Sequence, residues 1–102
     1  MGKLWFELKD LCKREREGSH TTQSKRYREL RLIAKTLERL GYRHMTMHSL
    51  KPKHIDALVN HWKSQELSVA TIKKRLSYLR WWSRKVNRKS VIASNNRYYG
   101  LE

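Results

Sequence analysis

Apolar residues recur at helical spacing along nearly the whole chain, and most of the recurrences are bounded by helix starters or stoppers. Over residues 3–16, Leu4, Trp5, Leu8, Leu11 and Cys12 fall at i, i+1, i+4, i+7 and i+8, a single apolar stripe that predicts a first helix. Gly18-Ser19-His20 ends it, and Thr21 or Thr22 is placed to cap the next. The pattern returns over residues 23–40 with Tyr27, Leu30, Ile33, Ala34, Leu37 and Leu40, and Gly41 stands where a left-handed C-terminal cap belongs. Residues 42–49 have no clean period and read as a loop. A third helix opens at Pro52, a favoured first-turn residue, with Leu50 just outside it. Its face is Ile55, Leu58, Val59 and Trp62, and it ends near Gln65. Ser68 caps a fourth helix over residues 69–87, through Ile72, Leu76, Leu79, Ser83 and Val86. Residues 88–100 are polar and irregular, and only Ser90 to Ala93 hints at a strand. The expectation is an all-α domain of four helices with a frayed, flexible C-terminal segment.

The composition narrows the class. With 102 residues the chain is long enough for one self-sufficient core, and 38% apolar residues, four Trp and five Tyr argue against a disordered tail. Its single cysteine, Cys12, excludes an intramolecular disulfide framework and fits a reducing cytosol. No apolar run approaches the roughly 20 residues of a membrane span, and no signal-peptide pattern opens the chain. The residues after Gly2 lack the Ser or Thr of a myristoylation site. The closing Leu101-Glu102 matches the kind of cloning remnant that precedes an affinity tag. A cytoplasmic location follows, with no membrane partner.

Charge changes the picture most. The net charge is +15, which makes a polyanion the first-choice partner. It is unevenly spread: residues 1–20 carry +1, residues 21–41 +4, residues 42–67 +2 and residues 68–102 +8. On the second helix Ser24, Arg28, Arg31, Lys35 and Arg39 fall within one sector of roughly 80°. On the fourth, Lys73, Ser77, Arg80, Arg84 and Arg88 do the same, flanked by Lys74, Trp81 and Lys85. One such stripe is as well explained by a solvated face. Two, with few acids between them, repel themselves unless phosphates neutralise them. Trp82 lies on the apolar face. Trp81 points nearly opposite Ile72, into the basic sector; it lies either against a sugar-phosphate backbone, beneath Arg84 and Lys85, or under a packing partner such as the N-terminal helix or the C-terminal segment. Trp5 and Trp62 belong to apolar stripes.

Organised chemistry is not legible. His20, His44, His48, His54 and His61 lack the spacing of a zinc site, and there is no glycine-rich phosphate loop or HExxH motif. Cys12 sits on an apolar stripe, where a buried thiol is favoured over a nucleophile. No catalytic residue, metal or cofactor is expected.

The run Ser68-Val69-Ala70-Thr71-Ile72-Lys73-Lys74-Arg75-Leu76-Ser77-Tyr78-Leu79-Arg80-Trp81-Trp82 resembles a stretch in the N-terminal core-binding domain of tyrosine recombinases, the phage-type integrases. Leu50-Lys51-Pro52-Lys53-His54-Ile55, Tyr27-Arg28-Glu29-Leu30 and Asn96-Arg97-Tyr98-Tyr99-Gly100 extend the similarity over most of the chain. The resemblance implies a four-helix, SAM-like orthogonal bundle over residues 1–87 that clamps a recombination site on double-stranded DNA, with residues 88–102 as the start of an interdomain linker. It implies DNA contacts by Thr71, Lys73, Lys74, Ser77 and Arg80, joined by Arg84 from the basic sector. On the second helix it points to Lys25, Arg28, Arg31 and Lys35. It also implies that catalysis belongs to a C-terminal domain, that Tyr98 and Tyr99 are not the recombinase nucleophile, and that other protomers share the DNA on a bacterial nucleoid. The rival readings are a small RNA-binding helical protein and a module whose basic helix docks acidic protein partners.

Overall fold

The computed structural model describes residues 2–101, so Glu102 of the expected tag remnant lies outside the described residues. Four α-helices and three short 3-10 turns form, and there is no strand among the described residues. Two compact units divide the chain, one reaching to Ser49 and the other starting at Leu50.

In the first unit, α1 (Lys3–Arg14) packs on α2 (His20–Arg39), and a 3-10 turn, Met47–Ser49, follows the loop. The faces read from periodicity are the ones buried: Leu4, Leu8 and Leu11 on α1, Leu30, Ile33, Ala34 and Leu37 on α2. Removing each of the Leu and Ile side chains from water contributes about 1.5–3 kcal/mol. Helix α1 stops two residues short of expectation, and α2 starts three residues early. The reason is Ser19: its Oγ accepts the Thr22 N–H at 3.1 Å, so Ser19 is the cap and Thr21 and Thr22 lie in the first turn. Gly41 behaves as expected. At φ +103° it closes α2 with Tyr42 N–H to Leu37 O at 3.0 Å and Gly41 N–H to Glu38 O at 3.1 Å, both bonds of a Schellman end.

Polar staples hold this unit's loops. The Arg26 guanidinium is buried and donates through Nη2 to the carbonyls of Glu17 (2.8 Å) and Glu15 (3.3 Å), which fixes the α1–α2 connection. Glu38 Oε2 accepts the Gly2 N–H at 3.0 Å, and Glu7 Oε1 accepts the Met47 N–H at 2.9 Å. Trp5 and Tyr27 meet edge to face, centroids 5.1 Å apart.

In the second unit, α3 spans Pro52–Ser64 and α4 spans Val69–Lys85. Helix α3 buries Ile55, Leu58, Val59 and Trp62, as its spacing predicts. His54 is also buried, and its Nδ1 accepts the Lys51 N–H at 2.9 Å, capping the helix start. Burial, then the positive charges of Lys53 and Lys51, push the His54 pKa below its ordinary value and keep the ring neutral. Ser68 caps α4 as expected, its Oγ accepting the Thr71 N–H at 3.2 Å. Glu66 (φ 58°) and Asn87 (φ 58°) close α3 and α4 in the left-handed region, each with a Schellman pair of bonds.

Helix α4 departs from its one-sided reading. Ile72, Leu76, Leu79, Trp82 and Ser83 are buried as predicted, but Tyr78 and Trp81 are buried too. A second side of the helix is therefore covered, and the chain after it does part of the covering. The segment expected to be flexible is folded: 3-10 turns form at Lys89–Val91 and Asn96–Tyr99, the first packs on α4, and Ile92, Tyr99 and Leu101 are buried. The hint of a strand at Ser90–Ala93 is overturned, because Lys89–Val91 coils locally and finds no partner strand. The Arg80 guanidinium donates to Ala93 O (3.2 Å) and Asn96 Oδ1 (3.1 Å). Lys63 Nζ donates to Tyr99 O, and Tyr99 Oη accepts the Ala93 N–H at 3.0 Å. Burial raises the Tyr99 pKa, with that backbone bond pulling against it, so the phenol stays protonated. Isolated apolar anchors plus charged donors to carbonyls order a segment whose composition alone reads as loop.

Candidate nucleic-acid interface

The α2 row is intact. Because α2 runs unbroken from His20 to Arg39, the 100° rotation per residue places Ser24, Arg28, Arg31, Lys35 and Arg39 on one side, and all five are exposed. Lys25 stands exposed beside them. From Ser24 to Arg39 the row spans about 22 Å at 1.5 Å per residue. None of Lys25, Arg28, Arg31, Lys35 and Arg39 pairs with a carboxylate among the described residues. Glu38, the acid nearest the far end, accepts the Gly2 N–H instead. Lys35 and Arg39 line a shallow crevice there with Glu38 and Arg43. Cations in a last helical turn also complement the helix dipole, which accounts for Arg39 by itself but not for Arg28 or Arg31, two to three turns away.

The α4 row is narrower than its sequence suggests. Lys74, Ser77 and Arg84 are exposed and Lys73 is half-exposed. Arg88 leaves the row altogether, since the helix ends at Lys85 and Asn87 turns the chain away. Arg80 is half-buried and its guanidinium holds the C-terminal segment. Thr71 is half-buried at the helix start, its Oγ1 accepting from Ser68 Oγ at 2.9 Å. Ser77 Oγ donates to Lys74 O at 2.5 Å. Trp81 is 4% exposed, so of the alternatives left by the sequence it is a packed core residue; the Lys85 ammonium lies 5.8 Å from its ring centroid. Arg75 sits similarly over Trp62, at 5.4 Å.

The sequence did not single out a groove in the first unit. Its walls include Cys12, Lys13 and Arg16 from the end of α1 and the following loop, and His20, Tyr27 and Arg28 from α2. Burial pushes the Cys12 thiol pKa up, with the nearby Arg26 charge opposing it, so the thiol is the resting form. The small net charge of residues 1–20, +1, hides Lys13 and Arg16, because Glu7 is turned onto the Met47 N–H and Asp10 pairs with Arg14 at 3.1 Å.

No helix of the described chain is long and apolar enough to cross a membrane. No curated protein and no solved structure matches the chain. The family model of the phage integrase N-terminal domain matches residues 1–92, nearly the whole length. Its all-α, SAM-like character agrees with the four helices, and the matched domain is not the catalytic one. On that match the chain belongs to the N-terminal domain family of phage integrases.

Proposed function

We propose that this chain is the DNA-binding, non-catalytic N-terminal domain of a site-specific tyrosine recombinase, holding double-stranded DNA at the recombination site during integration. The observation that carries the reading is the α2 row, whose five cationic and polar side chains are exposed on one sector without carboxylate partners among the described residues. Membership of the integrase family supports DNA as the partner class. Lys25, Arg28, Arg31 and Lys35 on α2, and Lys73, Lys74 and Arg84 on α4, contact phosphates; Thr71, Lys74 or Ser77 reaches base edges. Residues 1–87 form the DNA-binding body, and the folded stretch from residue 88 leads toward a C-terminal catalytic domain. That domain and further protomers on the same DNA complete the set of partners, in the cytoplasm.

Fluorescence anisotropy with a duplex carrying the cognate site, titrated at rising salt, tests this. Each phosphate contact adds about −0.9 to the slope of log K against log salt. Arg31→Ala with Lys35→Ala is expected to flatten that slope by about 1.8 while the helical circular dichroism is retained. Binding that ignores salt, or structured RNA that outcompetes the duplex, overturns the proposal.

A further inference from the structure

We infer that the groove between the end of α1 and the first turns of α2 seats a stretch of DNA sugar-phosphate backbone, extending the α2 row beyond its first turns. The inference rests on the DNA reading above and adds a place and a set of residues to it.

Three observations carry it. The groove and the row are continuous, because Ser24 and Arg28 belong to both. The groove's rim is basic: Lys13 and Arg16 are exposed there beside the exposed His20 ring, and no carboxylate lines it among the described residues. Its floor is apolar, made by the half-buried Cys12 and by Tyr27, which Trp5 supports edge to face.

A rim of donors around a small apolar floor is what a nucleotide backbone presents in reverse. The phosphate is an anion that takes Lys and Arg as partners, and the deoxyribose offers a carbon face for an aromatic edge. The polymer's charge density fits as well. Along one strand phosphates recur about every 3.4 Å of helix axis, so a row lengthened from Ser24 back to His20 gains about 6 Å and room for one or two more. An acidic protein segment would satisfy the rim but has no reason to continue along the α2 row at that repeat.

The test uses two readouts on the whole chain. The first is the salt dependence of duplex binding for Lys13→Gln with Arg16→Gln, both exposed positions, set beside Arg31→Ala with Lys35→Ala. The groove variant is expected to flatten the slope by about 1.8, as the α2 variant does. The second readout needs no substitution: Cys12 is the chain's one cysteine, and its alkylation by N-ethylmaleimide should slow when saturating duplex is present. If the α2 variant weakens binding while the groove variant does not, and Cys12 alkylates equally fast with duplex, the groove inference is overturned and the DNA reading stands. If the wild-type chain fails to bind duplex at low salt, the DNA reading falls and takes the inference with it. Protection of Cys12 by a polyglutamate peptide but not by duplex assigns the groove to an acidic protein partner and likewise overturns the inference.

Discussion

Arg80 and Arg84 occupy the same side of α4, one turn apart, and the structure gives them different surroundings. The Arg80 guanidinium makes two hydrogen bonds to the C-terminal segment, at 3.2 Å to Ala93 O and 3.1 Å to Asn96 Oδ1, whereas Arg84 is exposed. Hydrogen bonds from a charged donor contribute about 1.5–3 kcal/mol each. Because Arg80 is half-exposed, water competes for both, and the low end of that range, further discounted, leaves about 2 kcal/mol for the pair. In a domain of this size 1 kcal/mol shifts Tm by about 4–8 °C, so Arg80→Ala should lower Tm by about 8–16 °C. Both bonds leave Nη2, and Arg80→Lys should recover only part, since the flexible lysine stem loses more side-chain freedom than the planar guanidinium in holding a nitrogen at that place. Thermal melts followed by circular dichroism give the stability, and amide exchange across residues 92–99 should show the segment opening first. The companion measurement is duplex binding against salt. Arg84→Ala should flatten the slope by about 0.9 and leave Tm within about 2–4 °C, while Arg80→Ala should leave the slope as it is. If Arg80→Ala melts with the wild type and flattens the slope as Arg84→Ala does, the guanidinium belongs to the DNA and the stapling role is wrong.

Two further outcomes follow from the helix ends. His54 caps α3 through a neutral Nδ1, and its pKa is held down by burial and by Lys53 and Lys51, so the unfolded chain takes up the proton more readily than the folded one. Stability is thus full above the ordinary histidine value of about 6.5 and declines as pH falls below it, until the folded-state ring itself protonates. Melts between pH 7.5 and 5 should show that decline, reduced in His54→Gln, which keeps an acceptor at the same helix position but does not titrate; an unchanged profile in the variant refutes the assignment. Glu66 ends α3 at φ 58°, where a non-glycine residue costs about 1–2 kcal/mol. Glu66→Gly relieves that strain against about 0.5–1 kcal/mol of lost chain entropy and should raise Tm by a few degrees; a fall in Tm shows that Glu66 is held by something stronger than backbone geometry.

The helices were legible because each buries an amphipathic stripe, and a stripe of period 3.6 is visible in any window of a dozen residues. Their ends were legible only where side-chain chemistry signals them. Ser68, Pro52 and Gly41 do so; Glu66, which ends α3 in the same left-handed geometry as Gly41, carries no such signal, and Asn87, which ends α4, carries a weaker one than glycine. Ser19 does not stand out in the sequence because Thr21 and Thr22 are also good caps, and the choice among the three rests on which hydroxyl reaches the Thr22 N–H. The C-terminal segment was illegible for a different reason. Ile92, Tyr99 and Leu101 have no shared period, and the bonds that hold them come from Arg80 and Lys63, 13 and 36 positions away from their acceptors Ala93 and Tyr99.

The same distance effect redistributes the charge. By sequence, residues 68–102 hold the largest excess, +8, and α4 looks like the principal anion-binding helix. In the structure its basic groups are spent on the protein: Arg75 lies over Trp62, Lys85 over Trp81, Arg80 on the C-terminal segment, and Arg88 beyond the helix end. Lys73, Lys74 and Arg84 are what α4 presents outward. Helix α2 has a smaller excess but turns only Arg26 inward, which leaves Lys25, Arg28, Arg31, Lys35 and Arg39 exposed and without carboxylate partners among the described residues. Two buried tryptophans explain the difference, since a helix covered on two sides has a narrow outer arc, and cations at the edges of that arc fold back onto the indoles. Charge counted along the sequence therefore ranks α4 first, and charge counted by exposure ranks α2 first. If phosphate neutralisation drives binding, replacing all the outward cations of α2 should flatten the salt slope more than replacing all those of α4.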